Sequence, residues 1–489
     1  MSLTNSPIWF GSGATGGGFY GYEINDSLRF NDNDSAYLNR TFSSAPTSTT
    51  TSTFSAWAKR GNLGQYMIWT SYVSGPNIAG YIYFNTSNKL QVYVDKTAGG
   101  SDELNVTTDA VFRDPSAWYH IVVKYDLAQA SNSNKIKIYV NGELQSATYS
   151  QTGSAVTAHR LVSNGTLSNI GQSFNNTNFY DGYLAEINFI DGQALDPTSF
   201  GETKDGVWVP KAYGGSYGTN GFYLDFSDNS TATNLGLDSS GNSNNWSVNG
   251  IATTDQMIDT PTNNFCTLNY IDRYPTTNYL REGSLQMNTT GVNSWVGNAR
   301  STYQVESGKW YWEVCMVGTG GFFRFGIRPA GVTLAVSTGD VGNGHEYYPY
   351  INKSINVGGN ATYGADGSGV SQGTIWGVAL DMDNGTLTMY RNNVTMGQMS
   401  SGLTGQQSPT VSSYNGNVGF NFGQDSSFAG TKTAQGNTDA NGNGDFYYAP
   451  PSGFLALCTA NLPEPVVGPL GDSLSDENFN TVLYTGNGS

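Results

Sequence analysis

No window of twelve residues in this chain carries a helical stripe of apolar side chains free of Gly, Pro and β-branched runs. The backbone donors and acceptors must therefore be paired between strands. Short alternating segments separated by Gly, Asn and Ser clusters continue along the whole sequence. One device occurs twice. In "KIKIYVNGELQ" (135–145), Ile136, Ile138 and Val140 alternate with Lys135, Lys137 and Tyr139, and Asn141-Gly142 supplies the positive φ angles of a tight hairpin. "TLTMYRNNVTM" (386–396) repeats it with Asn392-Asn393, since Asn also tolerates the left-handed region. Each hairpin follows a further strand, "AWYHIVVKYD" (117–126) in the first half and the Trp376-led "TIWGVALDMDNG" in the second. The repetition predicts an all-β chain of two tandem antiparallel sandwiches, each closing its own core, with Trp57, Trp118, Trp310 and Trp376 as core plugs.

A length of 489 residues exceeds what a single core supports, so two or three domains are expected. Glycine fills 62 positions while only 12% of residues are charged, which leaves surfaces built from Asn, Ser and Thr. The net charge of −16 repels phosphate backbones and argues against nucleic-acid binding. Cys266, Cys315 and Cys458 stand alone without C-x-x-C spacing and read as buried free thiols, with neither disulfides nor structural zinc. The N-terminal stretch has no basic start or apolar core, and no run of 18 apolar residues occurs, so neither a secretion signal nor membrane insertion is expected. The segments expected are an N-terminal attachment segment (1–26), a first sandwich (27–200), an ordered connector (201–265), a second sandwich (266–462) and a proline-stiffened C-terminal arm (463–489).

The motifs "SLRFNDNDSAYLNRTF", "TSTFSAWAKRG", "WYHIVVKYD", "KIKIYVNGELQ" and "IGQSFNNTNFYDGYLAEINFIDGQAL" resemble the laminin-G-like, concanavalin A-like jelly-roll domain. "ESGKWYWEVCM", "FRFGIRPAG", "GTIWGVALDMDNGTLTMYRNNVTMG" and "VGFNFGQD" are similar to a SPRY domain. The pairing, with "GFYLDFSDNS" and "GLDSSGNSNNW" between, resembles structural proteins of tailed, marine-type bacteriophages. That resemblance implies a virion protein, a tail or head fibre or appendage, that displays sandwiches for adhesion to host-surface glycan. Its partners would be other virion proteins, and it would be a homo-oligomer, with a trimer as the natural guess. Fold alone does not decide this. A capsid decoration or scaffold protein without receptor role, and a secreted carbohydrate-binding protein or glycoside hydrolase, remain as alternatives.

Catalytic machinery is not evident. The compact E-x-D-x-x-E pattern of concanavalin-like glucanases is absent, and Glu186 and Glu313 sit alone within strands as solvent-facing or hydrogen-bonded residues. His120, His159 and His345 show no metal spacing, and no cofactor motif is present. "DANGNGD" places Asp439, Asn441, Asn443 and Asp445 like the first half of a calcium loop, but Pro450 stands where the bidentate Glu belongs, so no metal is assigned. For ligand binding, "HEYYPY" gathers His345, Tyr347, Tyr348 and Tyr350 in a segment broken by Pro349. It reads as a loop whose tyrosines line a glycan or subunit contact, the competing reading being that they pack on the sheet.

Overall fold

A computed structural model describes residues 19–73, 77–96, 102–274, 279–332, 334, 344–351, 353–356, 359–363 and 370–462. Most of the expected attachment segment and all of the C-terminal arm lie outside the described residues. Four large sheets account for the architecture, and the one α-helix among the described residues is the single turn Asn132–Lys135. The chain is all-β.

The first sandwich stacks two eight-stranded sheets. Its first sheet runs, in spatial order, Glu143–Leu144, Ile136–Val140, Trp118–Asp126, Thr51–Arg60, Gly182–Asp191, Ser27–Phe30 and Gln256–Met257, with Phe222–Leu224 also paired to Gly182–Asp191. The second sheet runs Ala147–Thr152, Glu103–Thr108, Leu90–Asp95, Ile78–Phe84, Tyr66–Tyr72, Leu167–Ile170, Tyr37–Thr41 and Ser247–Asn249. Between them lies one core that includes Leu28, Phe54, Trp69, Ile82, Val92, Val123, Ile138, Leu184 and Phe189. Three short strands after residue 200 complete these two sheets, so the stretch read as a connector is built into the first sandwich at the level of backbone pairing.

Both expected hairpins are present. Asn141 and Gly142 take φ of 49° and 81°, and Asn392 and Asn393 take 46° and 66°, which is the geometry that joins adjacent strands with matching twist. The first hairpin is cut short. Its return strand is only Glu143–Leu144, and the chain then crosses to the edge of the second sheet as Ala147–Thr152.

The second sandwich is smaller. One sheet runs Leu268–Tyr274, Trp295–Ser301, Gln407–Tyr414, Phe322–Pro329, His345–Tyr348, Lys353–Asn356 and Gly359–Thr362. The other runs Leu280–Arg281, Gln286–Asn288, Asn417–Asn421, Lys309–Met316, Ile375–Asp381, Thr386–Arg391 and Val394–Ser400, with Leu455–Ala456 added in parallel to Lys309–Met316. Trp310, Trp312, Phe325, Trp376, Val411 and Phe420 fill the space between them.

Two of the four expected core tryptophans are elsewhere. Along "TSTFSAWAKR", Phe54, Ala56 and Ala58 point into the first core, so strand alternation turns Trp57 to the opposite face. There it joins Trp118, Tyr183, Ile24 and Met257 in a separate apolar layer beneath the N-terminal segment and Trp208. Trp69 is the plug of the first core instead, stacked on Phe54 at 5.5 Å.

The same covered face carries two buried cations that seal the junction between the sandwiches. Lys59, 1% exposed, donates to Asp259 (2.7 Å), Asn264 Oδ1 (2.7 Å) and the Phe265 carbonyl (2.9 Å). Arg29 reaches Asp255 at 2.8 Å and crosses to Asp425 of the second sandwich at 2.9 Å, with Glu282 at 3.6 Å. A buried charge is tolerable only with such a full set of partners. Tyr183 Oη donates to the Gly283 carbonyl and Tyr270 Oη to that of Leu63 across the same junction. The two cores are distinct, yet the sandwiches are docked through a buried polar interface.

Candidate functional site

Strand register brings together a set of residues that are scattered in the sequence. Across the second sheet of the first sandwich, Ser247, Asn39, Asn169, Thr70, Tyr81, Tyr93, Asn105 and Ser150 are successive cross-strand partners, one from each strand. The alternate residues Leu38, Trp69, Ile82, Val92, Leu104 and Val106 face the core, so this row lies on the outer side. None of the eight is charged. Seven inter-strand steps of about 4.8 Å make the row roughly 34 Å long.

Aromatic rings form its middle. Tyr81 stacks on Tyr93 with centroids 4.7 Å apart and planes 12° from parallel, and Tyr83 meets Tyr81 edge-on at 5.0 Å. Tyr83 Oη donates to Gln91 Oε1 (2.7 Å), and Gln91 Nε2 donates to Asn105 Oδ1 (3.0 Å), which fixes the amides beside the rings. At one end Tyr72 and Tyr37 are met by Phe174 and Phe179 at 6.1 and 6.3 Å. Thr70 Oγ1 and Asn169 Oδ1 are buried there with no hydrogen-bond partner among the described residues. Burial raises the Tyr81, Tyr83 and Tyr93 hydroxyls above the usual phenol range, so they remain protonated donors. At the other end Glu103 lies directly across from Asp95, and its carboxylate accepts from Thr152 Oγ1 at 3.2 Å and bonds the Tyr93 hydroxyl. Tyr93, Tyr83, Asn169 and Thr70 are themselves buried, so what reaches solvent is part of the Tyr81 ring, the Asn39 and Asn105 amides and the Ser150 and Ser247 hydroxyls, with Glu103 at one end.

The predicted tyrosine segment is divided by the fold. His345–Tyr348 is a strand, not a loop, paired with Phe322–Pro329 and Lys353–Asn356; Pro349 only starts the 3-10 turn that ends it. Tyr347, 1% exposed, is a core residue packed edge-on against Phe325 at 5.8 Å, so it lines no surface. His345 also points inward, its Nδ1 2.9 Å from Ser400 Oγ of the facing sheet. Tyr348 and Tyr350 face out, and Tyr350 is 61% exposed.

The remaining ionisable candidates are structural. Glu313 is fully buried and accepts from the Tyr447 and Tyr448 amides (2.8 and 2.7 Å) and from Asn421 Nδ2 (3.0 Å), while burial lifts its pKa to about 7. Glu186 is hydrogen-bonded rather than solvent-facing: it sits at a β-bulge with φ of 51°, its Oε1 accepting from Tyr22 and Tyr223 (2.9 and 2.5 Å), and burial raises it to about 7. His120 is packed between Trp57 and Trp208; its Nδ1 accepts from Trp208 Nε1, so Nε2 carries the proton toward Ser55, and burial lowers its pKa to about 3. In the calcium-like loop Asp439 accepts from the Asn441, Asn443 and Ala456 amides and from Asn461 Nδ2, and Asp445 accepts from Ser426 and Gly436. Those carboxylates are committed to closing the loop, and among the described residues no group of three or more His, Cys, Asp or Glu could hold a metal. All three cysteines are buried free thiols.

Residues 6–199 match a family model described as the concanavalin A-like lectin/glucanases superfamily. That match takes in most of the strands of the first sandwich, which is similar to this family over those residues. Solved structures similar to parts of the chain include the SPRY domain of human HERC1, at 17% identity over 25% of this chain and 80% of that one, with a TM-score of 0.23. The TRIM65 PSpry domain is similar at 14% identity, over 32% of this chain and 90% of that one, with a TM-score of 0.26. Stonustoxin matches at 18% identity over 32% of this chain, which spans 27% of that molecule, with a TM-score of 0.25.

No local pattern in the sequence marks the tyrosine face. "YIYF" and "QVYVD" show the alternation, but only register reveals that Tyr81 and Tyr93 are neighbours.

Proposed function

We propose that this chain is a carbohydrate-binding protein that holds an extended, uncharged glycan across the outer face of its concanavalin A-like domain. The row from Ser247 to Ser150 carries this reading: the partly exposed Tyr81 ring, backed by the buried Tyr93, takes the C–H face of a sugar, and the exposed amides and hydroxyls along the row meet its hydroxyl groups without desolvating a charge. A glycan array probed with the full chain and with Tyr81→Ala tests it. Removing one stacked ring costs about 1.4 kcal/mol, so roughly tenfold weaker binding of neutral linear glycans is expected. Equal binding by both proteins would remove the site.

The finer reading places this activity on the surface of a tailed-phage particle, as a non-enzymatic tail or head fibre that adheres to host glycan. It is supported by the sequence resemblance, and repeated copies in a homo-oligomer would raise the strength of such a face through effective concentration. Imaging particles with an antibody against the second sandwich decides it: a labelled fibre supports the reading, and unlabelled particles end it.

A further inference from the structure

The outer face of the second sandwich gathers a second aromatic group at one end of its larger sheet. Tyr414 is the cross-strand partner of both Trp295 and Phe322, so three rings stand side by side on three adjacent strands. Tyr348 and Tyr350 close the group from the next strand and the turn after it. Tyr350 meets Phe322 edge-on at 4.4 Å, and Tyr348 meets Trp295 at 5.6 Å. Beneath them the Arg324 guanidinium lies 4.3 Å from the Trp295 ring centroid and 4.8 Å from that of Tyr348. A cation held between two ring faces fixes both rings without covering their outer rims. Arg324 itself is only 7% exposed, whereas all five rings are partly or fully open to solvent.

Two features decide what such a ledge fits. It consists of five rings within a few ångströms of one another, far short of the roughly 800 Å² per partner that a stable protein interface buries. Its rims also carry polar groups, the Tyr348, Tyr350 and Tyr414 hydroxyls and the Trp295 indole N–H, beside apolar faces. We infer that this ledge is a second saccharide-binding site, sized for one or two sugar units, with Trp295, Tyr350 and Tyr414 as contact residues and Arg324 as the residue that positions Trp295 and Tyr348. The site is separate from the tyrosine row of the first sandwich and stands or falls independently of it. Because the two sandwiches are docked through Arg29 and its carboxylates, both sites are held at a fixed separation on one body.

The test measures binding of the full chain to soluble laminarin, mannan and xylan in a Tyr81→Ala background, where the first site is disabled. At least one polysaccharide is expected to remain bound, and adding Tyr350→Ala or Trp295→Ala to weaken it roughly tenfold. Melting temperature should be unchanged by Tyr350→Ala. Arg324→Lys, which keeps a cation between the rings, should retain binding, and Arg324→Gln should lose it; equal loss in both would remove the positioning role. The inference is overturned if nothing binds in the Tyr81→Ala background, or if Tyr350→Ala leaves affinity unchanged. It is also overturned if Tyr350→Ala alters only the sedimentation of the chain, which would make the ledge a contact between copies. If Tyr81→Ala has no effect while Tyr350→Ala abolishes binding, the ledge stands and the tyrosine row does not.

Discussion

The two outer faces of the first sandwich are both rich in aromatic rings, and they differ in what is packed against those rings. On the first sheet Trp57, Trp118 and Tyr183 are buried under the N-terminal segment, Met257 and Trp208, and the charged side chains among them, Lys59 and Arg29, are spent on joining the two sandwiches. On the second sheet Tyr81 and Tyr93 stack on each other beside uncharged amides and hydroxyls. Trp118 and Tyr93 are equally buried, so an aromatic residue on a sheet face has no meaning by itself; its neighbours, charged on one face and uncharged on the other, distinguish the two. The distinction is electrostatic. Lys59 and Arg29 are paired with carboxylates where they are buried, and the row on the second sheet carries no charge.

The largest effect that would break this contrast is at Lys59. Lys59→Met strands Asp259, which is fully buried, and removing one partner of a buried pair costs about 3–5 kcal/mol. Urea unfolding should show that loss, and the double variant Lys59→Met/Asp259→Leu should recover a large part of it. A loss within experimental error would mean that the covered face is not cement. Arg29→Ala should be somewhat milder, because Asp255 and Glu282 keep 13% and 14% exposure and can take up water. Calorimetry on this variant is expected to resolve two unfolding transitions where the parent shows stronger coupling between sandwiches.

The pH dependence sharpens the same comparison. Glu186, Glu282 and Glu313 are all lifted by burial from 4.5 to about 7. The folded chain thus binds more protons than the unfolded chain between these values, and stability falls as pH rises through that window. The contribution is fully present below about 4.5 and lost once pH passes about 7. The buried His120 and His159, lowered to about 3 and about 4, oppose this trend below about 6.5, so the test is Glu313→Gln, which should reduce the fall in melting temperature from pH 5 to pH 8; an unchanged pH profile would contradict the burial argument. On the open face Tyr81→Ala is expected to change glycan affinity by roughly tenfold while altering stability much less than Lys59→Met. Smallest of all is Thr148→Val on the exposed edge strand, expected within about 0.5 kcal/mol of the parent.

How much of this could be read from the sequence follows from the range of the interactions. Asn141-Gly142 and Asn392-Asn393 act over four residues, so the hairpins and the all-β class are visible directly. Trp57 could not be placed, because Thr51–Arg60 is buried on both faces and alternation alone does not say which face is the core. Tyr347 and Tyr350 looked alike around Pro349, yet one is core and the other exposed, since the strand runs up to Tyr348 before the turn begins. The strands Phe222–Leu224, Ser247–Asn249 and Gln256–Met257 are too short to show a period, which is why the stretch after residue 200 looked like a connector. The tyrosine row needs the register of eight strands, and no local pattern carries it.

The most direct test is a crystal structure of the full chain soaked with the neutral oligosaccharide it binds best on an array. A sugar ring lying against Tyr81, with hydroxyls bonded to Asn105 or Asn39, is the predicted result. Saccharide bound on the opposite sheet around Trp208, with the tyrosine row empty, would contradict the account.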